Sequence, residues 1–218
     1  MQAFQLRLSE PDSLTIAFRR ERTAIMFSVL ISYLIGSLPS AVLVSRAFSG
    51  VDIRDLGDGN MGARNTTRML GWRAGVIVAA LDFGKGALAV LLARHLGADD
   101  WIQLLSGLAA VLGHDFPIWA RLKGGQGMAC SLGVLFILIT SPTLLGLGAF
   151  ALVYLFARNF DMSAGIGLGL IVLLAVLEGF PLPWAAYAAS LFVSIGLKTW
   201  MDLPRRAMLR QRNTERHS

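Results

Sequence analysis

Charge is scarce in this chain. Only 16% of its 218 residues are Asp, Glu, Lys or Arg, and 55% are hydrophobic, whereas a soluble domain carries about a quarter charged residues. Cysteine is nearly absent. The single one, Cys130, lies in an apolar run, which excludes a disulfide framework and a cysteine-based metal site. The three histidines, His95, His114 and His217, sit far apart without ligand spacing, so no metal centre is expected. The formal charge of +6 could suggest nucleic acid. The basic residues instead occupy loops and the C-terminus, where they orient helices in an anionic bilayer, so no nucleic-acid partner is expected.

What the chain has in abundance is long apolar blocks, and its mean hydropathy is +0.59. A membrane helix needs roughly 20 mainly apolar residues. The spacing predicts spans at 25–47, 74–97, 101–119, 127–141, 143–158, 163–178 and 182–200, with breaks at Pro117, Pro142, Pro181 and Pro183. The expected fold class is therefore all-α, a polytopic integral membrane protein of about seven transmembrane helices. One domain suffices: a polar segment at 1–24, a membrane unit at 25–203 and a basic tail at 204–218. The block after Arg19, Arg20 and Arg22 is too long for a signal-peptide core and has no clear small-residue cleavage site, so it reads as a retained first helix. Gly165, Gly167 and Gly169 would let the sixth span approach a neighbour closely. Lys and Arg concentrate in the odd-numbered loops and the tail, against Arg94 alone in the other internal loops. That bias places the odd loops and the C-terminus in the cytoplasm. Arg7, Arg19, Arg20 and Arg22 point the other way.

Three polar blocks then share one membrane face. The first, GDGNMGARNTTRMLG at 57–71, offers glycine backbone (Gly59 among others), the amides of Asn60 and Asn65, and the cationic forks of Arg64 and Arg68. That chemistry suits a phosphate at a membrane face. The second is LDFGKG, with Asp82 and Lys85 opening the second span, either a structural ion pair or part of a site. The third is GHDFPIWARLKGGQG at 113–127. There His114 can cap a helix end or move a proton. Lys123 with Gly124, Gly125 and Gly127 can form a plain turn or wrap a phosphate before a helix. The Walker spacing is missing, so an ATPase is not indicated.

Taken together, GSLPSAVLVSR, VDIRDLGDGNMGARNTTRMLG, LDFGKGALAVLLA and GHDFPIWARLKGGQGMACSLG resemble the bacterial integral-membrane acyl-phosphate:glycerol-3-phosphate acyltransferases in order and spacing. The resemblance implies a seven-helix fold in the bacterial inner membrane, with the active loops facing the cytoplasm. It implies acyl transfer from acyl phosphate to glycerol 3-phosphate, giving lysophosphatidic acid, with no metal or nucleotide cofactor. Membrane lipids surround the site, and the soluble enzyme that makes acyl phosphate becomes a partner. By this resemblance Arg68, His114 and Lys123 are catalytic candidates, with Arg68 and Lys123 pairing with substrate phosphates, and Asp58, at a substituted position of the first motif, is a further candidate. Gly59, Asn60, Arg64, Asn65, Asp82, Lys85, Gly124, Gly125 and Gly127 are candidates for substrate binding.

The departures from the family pattern concern charge. Asp58 stands where the family has serine, Arg64 for threonine, Asp115 for asparagine and Gln126 for lysine. A family serine-containing turn corresponds to ARNFDMSAG, with Asp161 or Ser163 in its place. A C-terminal histidine and asparagine are replaced by sequence in which Thr199 and Asp202 are the nearest candidates. Added carboxylates near a phosphate site are unfavourable. Alternatives to the main reading are therefore a paralogue with a different acceptor or donor, and a non-catalytic membrane protein that binds lipid phosphate.

Overall fold

The protein is described here by a computed structural model covering residues 26–215, and every regular element among them is helical. The expectation for residues 1–24 lies outside the described residues. In chain order the helices are α1 (26–36), α2 (Ser40–Ser49), α3 (Ala63–Leu70), α4 (Trp72–His95), α5 (Asp100–Asp115), α6 (Met128–Leu138), α7 (Thr140–Ala157), α8 (Phe160–Leu177) and α9 (Leu182–Glu215). Short 3-10 turns at Ile53–Asp55 and Ile118–Ala120 lie in the two polar connections. Met26–Ser49, Trp72–His95, Thr140–Ala157 and Phe160–Leu177 are long and apolar enough to cross a membrane. At about 1.5 Å per residue, α5 extends roughly 24 Å and α6 roughly 17 Å, less than the hydrocarbon thickness.

The breaks follow backbone chemistry, though not at every proline. The first span is interrupted at Ser37–Pro39, because Pro39 has no N–H to give and disfavours helix in the residue before it. Pro142 does not divide two helices as its position suggested. It is the third residue of α7, where the missing N–H costs nothing, and the break falls at Ile139 (φ −133°, ψ 72°). Pro183 is likewise in the first turn of α9. That helix continues through Pro204 to Glu215.

Two apolar cores meet along α4. One gathers Ala41, Val42 and Val44 of α2 with Ile53, Met61, Ala74, Val78 and Ala120. The other joins Ala89 and Val90 to residues of α5, α6, α8 and α9, including Val111, Val134, Leu135, Ile171 and Leu191. Close backbone approach unites the second core: Gly86 lies against the Cys130 carbonyl and Gly133 against the Phe83 carbonyl, and a side chain at either would collide with backbone. Of the three alternating glycines in α8, only Gly167 faces a neighbour, the carbonyl of Gly146, while a Cβ at Gly165 or Gly169 would meet open space. Residues two apart on a helix point to nearly opposite sides, so one face of the alternation is all that packing can use.

A buried charged seam beneath cationic loops

Between the two cores, α4 carries Asp82 and Lys85. These residues do not open the helix, as their place in the sequence suggested. Trp72 begins it ten positions earlier, so the pair falls near its middle, 2% and 7% exposed. Lys85 Nζ lies 2.9 Å from Asp82 Oδ1. It also donates to the Leu38 carbonyl at 3.1 Å. The break before Pro39 thus presents a backbone acceptor at the depth of a buried ammonium, the kind of arrangement that makes non-helical backbone tolerable inside a membrane protein. His114, in the last turn of α5, completes the seam, with Nδ1 3.5 Å from Asp82 Oδ1.

The glycine loop folds back over His114. Gly124 N–H donates to the Asp115 carbonyl and Gly125 N–H to the His114 carbonyl, both at 3.1 Å, which caps the C-terminal end of α5. A Cβ at Gly125 would run into His114 Nε2, and one at Gly124 into the His114 carbonyl, so glycine is what lets the loop lie this close. These two amides are therefore engaged by the helix end. Gly127, at φ +71°, starts α6 beside the Asp115 carboxylate. Lys123 stands on the exposed outer side of the turn, and Asp115 is 3% exposed.

The first polar block is knitted together from within. Asn65, 1% exposed on α3, donates through Nδ2 to the Leu56 and Asn60 carbonyls, both at 3.1 Å, and accepts from Asp58 N–H at 3.3 Å. Its amide hydrogens thus hold the loop rather than face outward. Asp58 Oδ1 accepts from Asn60 N–H at 3.2 Å, and Oδ2 pairs with Arg68 at 3.2 Å. Gly59 and Asn60 are buried in the same turn. Arg64 reaches Asp161 at the start of α8 through two bonds, 2.6 and 3.1 Å, and lies 4.7 Å over the Phe160 ring. The carboxylates at 58 and 161 therefore each have an arginine, and the added negative charge they were expected to bring is locally balanced.

On α9, sequence reasoning named Thr199 and Asp202 but missed Lys198 as a site residue. Lys198, 4% exposed, pairs with Asp202 at 2.7 and 2.8 Å. Its Nζ stands 5.3 Å from the Phe116 ring centroid. Thr199 accepts from Gln126 Nε2 at 2.8 Å. The available signal was a lysine and an aspartate one helical turn apart within an apolar segment. Lys198 counts in the sequence only among the basic residues that set orientation.

Fold and site together define a multi-pass helical membrane protein, with phosphate-compatible cationic loops packed over a buried charged seam. The chain belongs to the glycerol-3-phosphate acyltransferase family, whose model matches residues 26–205. It is 41% identical to glycerol-3-phosphate acyltransferase 4 of Dehalococcoides mccartyi, over 78% of this chain and 91% of that one. It is 49% identical to the glycerol-3-phosphate acyltransferase of Myxococcus xanthus, over 58% of this chain and 64% of that one. Among solved structures, the glycerol 3-phosphate form of PlsY (YgiH), an integral membrane glycerol 3-phosphate acyltransferase, matches with a TM-score of 0.75 and 33% identity, covering 85% of this chain and 93% of that one. Its lysophosphatidic acid form matches with a TM-score of 0.73.

Proposed function

We propose that this chain transfers a fatty acyl group from acyl phosphate to glycerol 3-phosphate, forming lysophosphatidic acid for phospholipid synthesis. The observation that carries the reading is the meeting of Asp82, Lys85 and His114 in one buried seam, with the glycine loop after Lys123 folded against His114 and the Arg68-bearing helix α3 packed on α4. The glycerol hydroxyl oxygen attacks the acyl carbonyl carbon. The bond from that carbon to the phosphate oxygen breaks, and phosphate leaves with the electron pair and takes up the hydroxyl proton. The mixed anhydride is already activated, so placement and charge neutralisation carry the rate. Arg68 and Lys123 neutralise the substrate phosphates. Asn60, Gly59 and the 124–127 backbone shape the acceptor pocket, with His114 as its buried wall. Asp82 and Lys85 hold that wall, and Asp58 orients Arg68.

The catalytic unit occupies 25–203 and crosses the inner membrane seven times, with the odd-numbered loops in the cytoplasm, where the soluble acyl-phosphate-forming enzyme delivers the donor. The reading is tested with purified protein in detergent, supplied with acyl phosphate and glycerol 3-phosphate, following lysophosphatidic acid by mass spectrometry. Product formation that falls about 10- to 100-fold with Lys123→Ala supports it. Retained phosphate binding without turnover overturns it in favour of a lipid-phosphate-binding protein. A cysteine placed at Lys123, in a Cys130→Ser background, should react with an impermeant thiol reagent only after cells are opened.

A further inference from the structure

We infer that α9 is a clamp on the glycine loop, with Thr199 and Lys198 as its positioning residues. This inference rests on the acyltransferase reading. The 113–127 block is held at both ends by adjacent positions on one helix. At its start, Phe116 lies under the Lys198 ammonium, which Asp202 holds from one turn further along. The Phe116 carbonyl is fixed from α1 by the Tyr33 hydroxyl at 2.7 Å. At its end, Gln126 donates to Thr199 Oγ1, 73 positions along the chain.

The Thr199 bond has a direction. The threonine hydroxyl gives its own proton to the Ile195 carbonyl at 2.7 Å, leaving its oxygen to accept. A donor is therefore required at position 126, and the Gln126 amide supplies one. A lone glycine-rich turn has little to hold it, since glycine loses more conformational freedom on ordering than any other residue. Here Gly124 and Gly125 lie between two residues anchored on α9, Phe116 and Gln126, and Gly127 follows directly on the second, which fixes where Lys123 and the start of α6 stand. Thr199 and Gln126 are thus a matched acceptor and donor.

The experiment combines acyl-transfer kinetics with the reactivity of Cys130, the chain's single thiol, buried in the first turn of α6 three residues beyond Gly127. Thr199→Val keeps shape and loses the acceptor; Gln126→Met keeps length and loses the donor. Each should raise the KM for glycerol 3-phosphate about fivefold while kcat stays within about twofold, the scale set by one ordinary hydrogen bond. Each should also speed thiol labelling of Cys130 in detergent, because a loosened loop frees the first turn of α6, in which Cys130 is buried. Thr199→Ser should retain wild-type KM and labelling. The double variant should be no worse than the stronger single one, since both remove the same bond. Wild-type KM and labelling in Thr199→Val overturns the clamp, as do single effects that multiply in the double variant. If the wild-type chain makes no lysophosphatidic acid, the acyltransferase reading fails and labelling alone decides. Faster labelling in Thr199→Val but not Thr199→Ser keeps the clamp, and equal rates remove it.

Discussion

The exposed rim of the site and the seam beneath it use the same residue types for opposite ends. On the rim, Arg64 and Arg68 are 44% and 49% exposed in their side chains, and Lys123 projects from a turn. In the seam, Asp82 and Lys85 are almost fully enclosed and His114 is 6% exposed. A solvated cation can be lent to a substrate phosphate at small cost to the fold. A buried one cannot, because its partner would be left charged and unpaired in a low-dielectric interior. Burial thus separates cations open to solvent from charged groups enclosed between the two cores.

The largest effect should come from breaking the seam on one side. Lys85→Met leaves Asp82 without its cation, and losing one partner of a buried pair costs about 3–5 kcal/mol. Size-exclusion profiles and thermal unfolding in detergent should show a destabilised or aggregated protein. The double change Asp82→Leu with Lys85→Met should recover stability but not turnover. Recovery of both would remove the seam from the site.

Rim variants should show the reverse. Lys123→Ala should leave the unfolding temperature nearly unchanged while turnover falls about 10- to 100-fold, the worth of a hydrogen bond to a charged group. Arg68 tests the boundary between the two regions, because its partner Asp58 is 4% exposed. Arg68→Ala should lose turnover and some stability. Adding Asp58→Ser should return the stability alone.

Much of this division can be read in the sequence. GDGNMGARNTTR and KGGQG stand out as non-apolar loops between apolar blocks, and the helical class follows from the blocks themselves. The depth of Asp82 is implied by the predicted span 74–97, although the LDFGKG motif reads as opening that span. Trp72 and Arg73 belong to α4 although they look like loop. The sequence could not show that Gly124 and Gly125 spend their amides on the end of α5, or that Asn65 spends its own inside its loop. Glycine and asparagine advertise donors without saying who receives them. The Gln126–Thr199 contact joins distant positions through tertiary packing alone.

A smaller effect belongs to the polar connection that leads to the rim. Asp52 accepts from the side chain and N–H of Arg54 and from Arg46, and chiefly the Arg54 bonds hold its carboxyl down at about 2, from 3.8. A depressed carboxylate stabilises the fold fully above its unfolded value and loses that contribution as pH falls through the folded one. With partly solvated arginines the contribution is about 1 kcal/mol. The stability gap between wild type and Asp52→Asn should therefore be constant from pH 7 to pH 5, shrink below pH 3.8 and close near pH 2. A gap that persists below pH 2 would show that the amide disturbs the 3-10 turn itself rather than the charge pairing.

The smallest effect on stability concerns the contact that crosses the rim, and it bears on the comparison most directly. Arg64 could lend its charge to substrate or spend it on Asp161, and the two uses predict opposite asymmetries. Asp161 is 74% exposed, so as a latch from α3 to α8 the pair contributes only about 0.2–1 kcal/mol. The stacking of Arg64 on Phe160 adds about 0.5 kcal/mol. A latch predicts that Arg64→Ala and Asp161→Ala both lower the unfolding temperature slightly and leave turnover within about twofold, as expected of surface changes. A phosphate clamp predicts a steep loss of turnover in Arg64→Ala. It also predicts a gain in Asp161→Ala, which frees the guanidinium and removes a competing carboxylate from the phosphate. The bidentate geometry favours the latch, since an arginine whose fork already holds a carboxylate must surrender two bonds before it can hold a phosphate.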